Sequence, residues 1–467
     1  MDWFVAEHYA LGRLLFQRGL AVLYVVAFLS AANQSRALLG THGLLPIPAY
    51  LRRTSFRRAP SVFHLHYSDQ FFAVLAWAGV ALSAGVVAGL TDVVPWPVAV
   101  LVWLLLWLLY LSIVNVGQRW YGFGWESLLL EAGFLAVFLG NDDVGVPLTV
   151  LVLLRWLLFR LEFGAGMIKI RGDSCWRNLT CLYYHHETQP MPGPLSWWFH
   201  HLPKPLHKVE VAANHVTQLV VPFGLFAPQP VSGVAAGIMI VTQLWLVASG
   251  NFSWLNWAAI VLAFSVLPDS FLERLQPDAA QSTATPILYV VPVLVVTAVM
   301  LVLSWWPARN LLSHSQLMNA SFNRFHLGNT YGAFGSVTRV RHEIVLEGAG
   351  PDGVWREYEF KGKPGDVRRL PRQFAPYHLR LDWLMWFAAL SRQYADRWFL
   401  AMVAKLLAND TALLKLLRHN PFPAEPPAQI RALLYRYRFT TWSEHRATGD
   451  WWHRSLVGEY LPPISSL

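Results

Sequence analysis

Residues able to do chemistry are concentrated in one stretch of this chain, residues 164–208, which we call the central loop. The loop holds both cysteines, and its histidines and glutamate are His185, His186, Glu187, His200, His201 and His207. Thiolate, imidazole and carboxylate groups are zinc ligands, but the spacing of these residues fits no recognised zinc pattern. We therefore predict no metal and no cofactor, and expect the histidines to act as interfacial anchors or hydrogen-bond partners.

The two cysteines, Cys175 and Cys181, lie six positions apart. On the extracytoplasmic side of a membrane they could form a disulfide, worth about 2 kcal/mol through loop entropy. On the cytoplasmic side they would stay thiols. A redox-active pair is less favoured because the spacing is not C-x-x-C.

Lys169 stands at the end of an apolar segment, in the run G-A-G-M-I-K-I. A lysine desolvated at a membrane boundary can have its pKa lowered enough to act as a base. The ordinary alternative is a lysine that extends its charged end to the interface from the end of a helix. Five prolines further along the loop exclude a continuous helix and give a stiff surface, suited to docking an extended chain: Pro190, Pro192, Pro194, Pro203 and Pro205.

The composition predicts that these residues are carried by a membrane protein. Hydrophobic residues make up 55% of the 467 and charged residues only 14%, against roughly 25% charged in soluble domains. Apolar runs of about the length that crosses a bilayer predict eight or nine transmembrane helices. The runs are residues 11–32, 71–90, 95–116, 125–140, 146–162, 209–227, 231–248, 252–267 and 286–306.

The chain divides into two predicted domains, a transmembrane helical domain at residues 1–306 and a water-exposed α+β domain at residues 307–467. Apolar alternation on both sides of G-A-G-P-D-G predicts a β-hairpin, and helical spacing after Asp382 predicts one or two helices. A further short strand is expected at L-Y-R-Y-R-F. The fold class is thus a polytopic α-helical membrane protein with a C-terminal α+β domain.

Four charged residues fall inside the fourth and fifth apolar runs. Counted from Asp143 in the connecting turn, Glu131 and Arg155 are equidistant, and so are Glu126 and Arg160. A buried charge in hydrocarbon is costly unless it is paired. We therefore predict two buried ion pairs, Glu131 with Arg155 and Glu126 with Arg160, and expect them to fix the hairpin more than to form a proton path.

The net charge is +9, which indicates either attraction to anionic membrane lipids or the positive-inside bias of a membrane protein. No motif suggests nucleic-acid binding. Basic residues cluster in the first loop and in the central loop, which by the charge rule would face the cytoplasm. The arginine-rich composition favours a bacterial inner membrane, with the endoplasmic reticulum membrane as the alternative in a eukaryote.

Several motifs resemble the lipase maturation factor family. They are G-D-S-C-W-R-N-L-T-C, H-E-T-Q-P-M-P-G-P-L-S-W, N-H-V-T-Q-L-V-V-P-F, S-G-N-F-S-W-L-N-W, N-T-Y-G-A-F-G-S-V, W-R-E-Y-E-F-K and G-E-Y-L-P-P. The resemblance implies a membrane assembly factor without turnover of its own, which helps a secreted client, in the family a dimeric lipase, to reach its active fold. It also implies that the central loop faces the lumen of the secretory compartment, so the side of the membrane stays open.

On this interpretation the central loop and the C-terminal domain contact the client or keep the loop intact. The candidate residues are Trp176, His186, Glu187, Pro190, Trp197, Trp355, Trp383 and Tyr460. The segment around Lys169 is also similar to vitamin K-dependent γ-carboxylases. That similarity implies the alternative, a membrane enzyme in which Lys169 is the base acting on a lipid-soluble substrate. A transporter is less favoured because no internal repeat is visible.

Overall fold

The computed structural model of the protein describes residues 3–273 and 285–465. It is mostly helical up to residue 312, and its strands all follow. The helices of the first part are α1 (Ala10–Leu38), α2 (Ile47–Leu51), α3 (Asp69–Ala88), α4 (Leu90–Val93), α5 (Trp96–Val116), α6 (Gly124–Ala136), α7 (Leu148–Arg171), α8 (Ser174–Arg177), α9 (Leu182–Thr188), α10 (Ser196–His200), α11 (Lys204–Leu219), α12 (Val231–Ser249), α13 (Leu255–Phe264), α14 (Asp269–Leu272), α15 (Ile287–Leu303) and α16 (Trp305–Leu312).

The C-terminal part is a strand-containing domain with a four-stranded antiparallel sheet. Its strands are β1 (Arg341–Ala349), β2 (Trp355–Glu357), β3 (Glu359–Phe360), β4 (Leu417–His419), β5 (Gln429–Phe439) and β6 (Trp452–Ile464), and its helices are α17 (Arg380–Leu390), α18 (Asp396–Leu407), α19 (Thr411–Leu414) and α20 (Trp442–Thr448). The sheet order is β2-β1-β5-β6, and β3 pairs with β4. The predicted hairpin is confirmed as β1 and β2, which pair in register Glu347 to Glu357.

Within the residues that the structure describes, five helical segments are long and apolar enough to cross a membrane: α1, α3, α5, α12 and the continuous Ile287–Leu312. The predicted number of eight or nine is not confirmed. The 13 residues of α6 extend only about 20 Å, against a hydrocarbon core of roughly 30 Å. The 24 residues of α7 are long enough but include buried Arg160 and Glu162, and α13 has only 10 residues.

The core of the helical part is packed around α1. This helix contacts mainly α3 and α13, and its Tyr24 and Phe28 meet Tyr110 of α5 at ring-centroid distances of 5.8 and 5.3 Å. All three rings are fully buried. Their edge-to-face contacts add to the burial of a large apolar area.

The charged residues of α6 and α7 are buried, but the predicted pairing is wrong. Glu131 pairs with Arg160 at 2.5 Å instead of Arg155, and Glu126 pairs with Arg380 at 2.6 Å instead of Arg160. Arg155 donates instead to the hydroxyl of Tyr9.

Two physical reasons explain the difference. The connection between α6 and α7 runs from residue 137 to 147, so counting outward from a tight turn does not give equal depths. A shift from residue 155 to residue 160 moves a side chain about 7.5 Å along a helix. In addition, Arg380 comes from the C-terminal domain, which no count along the hairpin could include.

The C-terminal domain packs closely on the helical part. Trp383 meets the ring of Trp125 at 4.9 Å, and the segment before β1 inserts Tyr331, whose hydroxyl donates to Glu131 at 2.8 Å. Asn329 donates to the same carboxylate at 2.8 Å. Glu131 and Glu126 therefore each join the two parts of the molecule.

Candidate functional site

A cavity of about 500 Å³ lies beneath the central loop. Its walls come from the second half of α7, from α9, α11, α12 and α13, and from residues 332–334. The volume lies within the range of about 300–1,000 Å³ typical of small-molecule sites. Most of its lining is apolar, and polar side chains converge at one place in the wall.

Lys169 is the cation in that wall. It is 5% exposed, and its Nζ donates to Asn214 Oδ1 at 2.9 Å and to Gln218 Oε1 at 2.8 Å, both on α11. The ring of Trp176 lies 4.9 Å from Nζ, a distance that allows a cation–π interaction. The predicted interfacial lysine is thus a buried residue with neutral hydrogen-bond partners.

The carboxylate of Glu162 lies in the same wall, about two turns before Lys169 on α7. Glu162 is 1% exposed and accepts from Gln243 Nε2 at 2.6 Å and from Gln218 Nε2 at 3.3 Å. Gln218 therefore connects the carboxylate to the lysine. Asn256 donates to Gln243 Oε1 at 2.7 Å and extends the network to α13. Four helices are joined by polar contacts, which orient these side chains toward the cavity.

Small residues let α11 approach α7 closely enough for these contacts. A Cβ added to Gly166 would lie 2.7 Å from Leu219 Cδ2 of α11, closer than side-chain atoms pack. The G-A-G run before Lys169 thus serves helix packing, which brings Asn214 and Gln218 within reach of the lysine.

The disulfide and Trp176 cover the end of α7. Cys175 and Cys181 are bonded and lie in a small buried cluster with Trp176 and Val211. The indole Nε1 of Trp176 donates to the carbonyl of Phe334 at 2.7 Å. This cross-link fixes the short α8 and α9 above the cavity.

The histidines of α9 are buried beside the cavity. Both His185 and His186 line it. Burial lowers the pKa of His185 to about 3 and lowers the pKa of His186 well below its usual value, because a charged ring would be desolvated. Both rings are therefore neutral at physiological pH.

One of these histidines belongs to a group with metal-ligand chemistry. The ligand atoms of His186, His207 and Glu210 lie within 4.8 Å of one another. His207 and Glu210 are three residues apart on α11 and so share one face of the helix. Of the predicted histidine set, only His186 and His207 take part, and the carboxylate is Glu210 and not Glu187.

The remaining loop candidates lie where the loop meets the C-terminal sheet. Trp197 Nε1 donates to the carbonyl of Thr440 at 2.9 Å, and Glu187 accepts from the backbone N–H of Phe439 at 2.7 Å. The carbonyl of Pro190 accepts from Arg341 at 3.0 Å. These three residues therefore attach the loop to the C-terminal domain and do not face the cavity.

The C-terminal candidates are spread over their domain. Trp355 stacks with Arg431, whose guanidinium lies 4.2 Å from the ring centre. Trp383 is buried against Trp125, and the hydroxyl of Tyr460 donates to the carbonyl of Ala388 at 3.2 Å. Of the eight candidate residues, Trp176 and His186 are the two that line the cavity.

Sequence reasoning missed the residues that organise the site. Asn214 and Gln218 are four apart on a helix and share a face, but nothing in the sequence indicated that this face meets Lys169. Arg341 was also missed: it donates to the carbonyls of Glu187, Gln189 and Pro190 and holds the loop in place. Its position within the alternating segment that predicted β1 was the signal available.

The fold and the cavity together define a class of protein. The protein is an integral membrane protein with several apolar helices, an internal apolar cavity and a C-terminal domain that packs on the helices.

Comparison with known proteins then gives the family. The model of the lipase maturation factor transmembrane domain matches residues 11–274, and that of the lipase maturation factor C-terminal domain matches residues 327–462. Lipase maturation factor 1 of Bos taurus is 40% identical over 506 aligned residues, covering 97% of this chain and 89% of that protein. The chain belongs to the lipase maturation factor family.

Other relatives agree with this assignment. Lipase maturation factor 1 of Homo sapiens is 40% identical, with 97% of this chain and 88% of that protein covered. Lipase maturation factor 2 of Gallus gallus is 30% identical, with 97% and 81% covered. No solved structure matches the chain.

Proposed function

We propose that this protein is a membrane-embedded maturation factor that assists the folding of a secreted lipase, without catalysing a reaction itself. The observation that carries the proposal is the 40% identity to a lipase maturation factor over 97% of the chain. The similarity thus includes the helical part, the central loop and the C-terminal domain, so the whole architecture is shared.

The C-terminal domain offers a surface for an extended client. Strand β6 has 13 residues and forms an edge of the four-stranded sheet. An edge strand presents unpaired backbone groups that can pair with another chain. Leu456 and Val457 on this strand are 59% and 53% exposed, so apolar contacts could accompany the backbone pairing.

The central loop provides a rigid base for that surface. Arg341 and the Trp197 indole bond the loop to the sheet, and Trp442 packs on Trp197 at 4.4 Å between ring centres. Trp442 itself is 48% exposed. Exposed aromatic residues on a rigid base are typical of protein-binding surfaces.

The maturation proposal is tested in cells that lack their own lipase maturation factor. A secreted lipase is expressed with this protein or with an empty vector, and activity per mass of secreted lipase is measured. We expect a clear increase with the protein. Equal specific activity with and without it, at confirmed expression, contradicts the proposal for that lipase.

The client surface is tested by charge substitution on the edge strand. The double variant Leu456→Lys with Val457→Lys should lower the specific activity of the secreted lipase. Val354→Lys is the matched control, since Val354 is an exposed apolar residue (51%) in the β1–β2 turn of the same sheet. An equal effect of control and test variants would show that β6 is not the client surface.

The membrane that holds the protein remains a proposal. The arginine-rich composition predicts a bacterial inner membrane, but the matched relatives are vertebrate proteins and do not support it. A secreted client requires the central loop to face away from the cytoplasm. A membrane-impermeant thiol reagent that labels Cys175 and Cys181 in intact cells only after reduction would support that orientation.

A second function is favoured by the cavity around Lys169. Exposed apolar residues form its edge between α11 and α12, among them Val209 and Val241 at 64% and 68% exposure. Because α12 is long and apolar enough to span a membrane, an opening on this side would admit a lipid-soluble molecule. Lys169 would then meet the substrate as a base, as in the alternative enzyme interpretation.

Two substitutions of the lysine separate the two functions. Lys169→Arg keeps the positive charge but cannot act as a base near neutral pH. If the protein acts by binding its client, this variant should support lipase maturation at the wild-type level. If the lysine is catalytic, both Lys169→Arg and Lys169→Met should abolish function while expression and melting temperature remain unchanged.

A further inference from the structure

The side chains of His186, His207 and Glu210 face one another between α9 and α11, outside the Lys169 network. His186 and His207 are each 1% exposed, and the side chain of Glu210 is 18% exposed. Among the described residues, neither ring nitrogen of His186 has a hydrogen-bond partner. An imidazole buried in this way loses its bonds to water without replacement, which is costly.

His207 and Glu210 approach each other without forming a hydrogen bond. His207 Nε2 lies 3.4 Å from the carbonyl of His200, to which it can only donate, and this leaves the ring's Nδ1 available to another partner. That Nδ1 lies 3.7 Å from Glu210 Oε2, and neither atom has a hydrogen-bond partner among the described residues. Both atoms can therefore act as ligands of a cation placed between them.

His207 and Glu210 are each held by a further contact. The His207 ring is oriented by the His200 carbonyl, and Glu210 Oε1 accepts from the Trp245 indole N–H at 2.5 Å. A ligand histidine commonly donates its second ring N–H to a carbonyl in this way, and ligand carboxylates are in turn hydrogen-bonded. The contacts therefore leave His207 Nδ1 and Glu210 Oε2 free and aimed at a common point.

We propose that His186, His207 and Glu210 bind a zinc ion. Two histidines and one glutamate are a known ligand set of zinc sites that keep a fourth position open. Zinc ligands at about 2.0–2.1 Å lie roughly 3.3 Å apart in a tetrahedron, so the group closes from its 4.8 Å spread on binding. The ion links α9 to α11 across the proline-rich segment, independently of the proposed lipase client.

The site adjoins the cavity. His186 and Glu210 both contribute to the cavity wall, so the fourth position of the ion faces that space. A water molecule or an oxygen atom of a ligand in the cavity completes the coordination. The sequence alone did not indicate this site because His186 and His207 are 21 positions apart and Glu210 lies just outside the central loop.

The test uses the full-length protein in detergent micelles. The protein is treated with a chelator, loaded with zinc, passed through a desalting column and analysed for bound metal by mass spectrometry. Zinc affinity is measured by competition with a chromophoric chelator, and cobalt is substituted to record its visible absorption. We expect about one zinc per chain and a four-coordinate cobalt spectrum.

Glu210→Gln and His207→Gln are the test variants, and His201→Gln is the matched control from the same loop. Loss of an outer-shell partner alone lowers metal affinity roughly 10–100-fold, so we expect losses of about 100-fold or more in the test variants and no change in the control. Glu210→Gln keeps the shape of a partly exposed side chain, so this variant should fold. It therefore provides the test if His207→Gln fails to fold.

Two results would overturn the proposal. One is wild-type protein that retains less than about a tenth of an equivalent of zinc after loading, where a zinc site would retain about one. The other is unchanged affinity and unchanged cobalt absorption in folded Glu210→Gln, which would mean adventitious binding elsewhere. In either case His207 and Glu210 are an ordinary histidine and carboxylate pair.

Discussion

The ion pair between Glu126 and Arg380 should be the contact whose loss most weakens the attachment of the C-terminal domain. Arg380 donates to Glu126 at 2.6 Å and to the carbonyl of Trp120 at 2.6 Å, and its guanidinium lies 3.5 Å from the ring centre of Tyr121. Both charged side chains are fully buried. The change to test is Arg380→Met, which keeps an unbranched apolar stem and removes the charged guanidinium.

The expected loss of stability follows from the hydrogen-bond donors that remain around Glu126. The hydroxyl of Tyr110 still donates to the carboxylate. His378 Nδ1 lies 3.5 Å away, but it accepts from the indole N–H of Trp125 and so offers no hydrogen. One neutral donor leaves the buried charge largely uncompensated, and breaking such a pair costs about 3–5 kcal/mol.

The assay is thermal unfolding in detergent, followed by tryptophan fluorescence. At about 2.1 cal/mol/K of unfolding entropy per residue, a chain of 467 residues loses about 1 °C for each kcal/mol. Arg380→Met should therefore lower the melting temperature by about 3–5 °C. The double variant with Glu126→Gln should recover most of this loss, because replacing both partners of a buried pair is often neutral.

Arg356→Met is the matched control. Arg356 pairs with Asp352 at 2.5 Å, close to the distance in the buried pair, but both side chains are more than 40% exposed. Exposed pairs contribute little, so the melting temperature should stay nearly unchanged. The reasoning is refuted if the buried and exposed variants shift the melting temperature equally, or if the double variant is as unstable as the sum of the single ones.

Three further predictions concern other contacts. Replacing Cys175 and Cys181 by serine opens a ring with a sequence separation of 6 and should lower the free energy of unfolding by about 2 kcal/mol, measured by denaturant titration. Gly133→Ala sets a methyl group against a buried tyrosine hydroxyl of α1 and should cost about 1–3 kcal/mol in the same titration. Gly237→Ala is its control, because the added Cβ meets nothing within 4 Å. Arg341→Met removes the donors to three carbonyls of the central loop and should speed cleavage of the loop in limited proteolysis.

Each of these has a result that would contradict it. Wild-type stability of the serine variant would mean that the disulfide does not constrain the unfolded chain. If Gly133→Ala and Gly237→Ala destabilise the protein equally, close packing at Gly133 is not the cause of the loss. Proteolysis of the Arg341 variant at the wild-type rate would show that Arg341 does not hold the loop. Arg418→Met is the control, because the Arg418 side chain is 41% exposed.

The features that depend on local pattern were predictable. The five long apolar helices coincide with five of the apolar runs, and the β1–β2 hairpin and helix α17 follow the alternation and helical spacing of their segments. Even here the predicted count of eight or nine spans is not confirmed. Composition reports how apolar a segment is, but it does not report whether a helix such as α7 faces lipid or protein.

The site was only partly predictable. The concentration of chemistry-bearing residues pointed to the central loop, and the structure places Lys169, Trp176 and His186 at one cavity. The hydrogen-bond partners of Lys169 and Trp176 come from α11 and from the segment before β1. No repeating pattern in the sequence indicates that Gln218 lies beside Lys169 or that Arg341 lies beside Pro190.

The amino-acid sequence by itself determined the class of protein, the positions of its apolar helices and its family, because burial of apolar segments and short motifs are properties of neighbouring residues. The tertiary structure decided which charges pair, which polar groups meet in the cavity and which histidines lie close together. Buried charges and lone pairs must be compensated by whatever group the fold brings within about 3 Å. For Glu126 that group is Arg380, 254 positions along the chain.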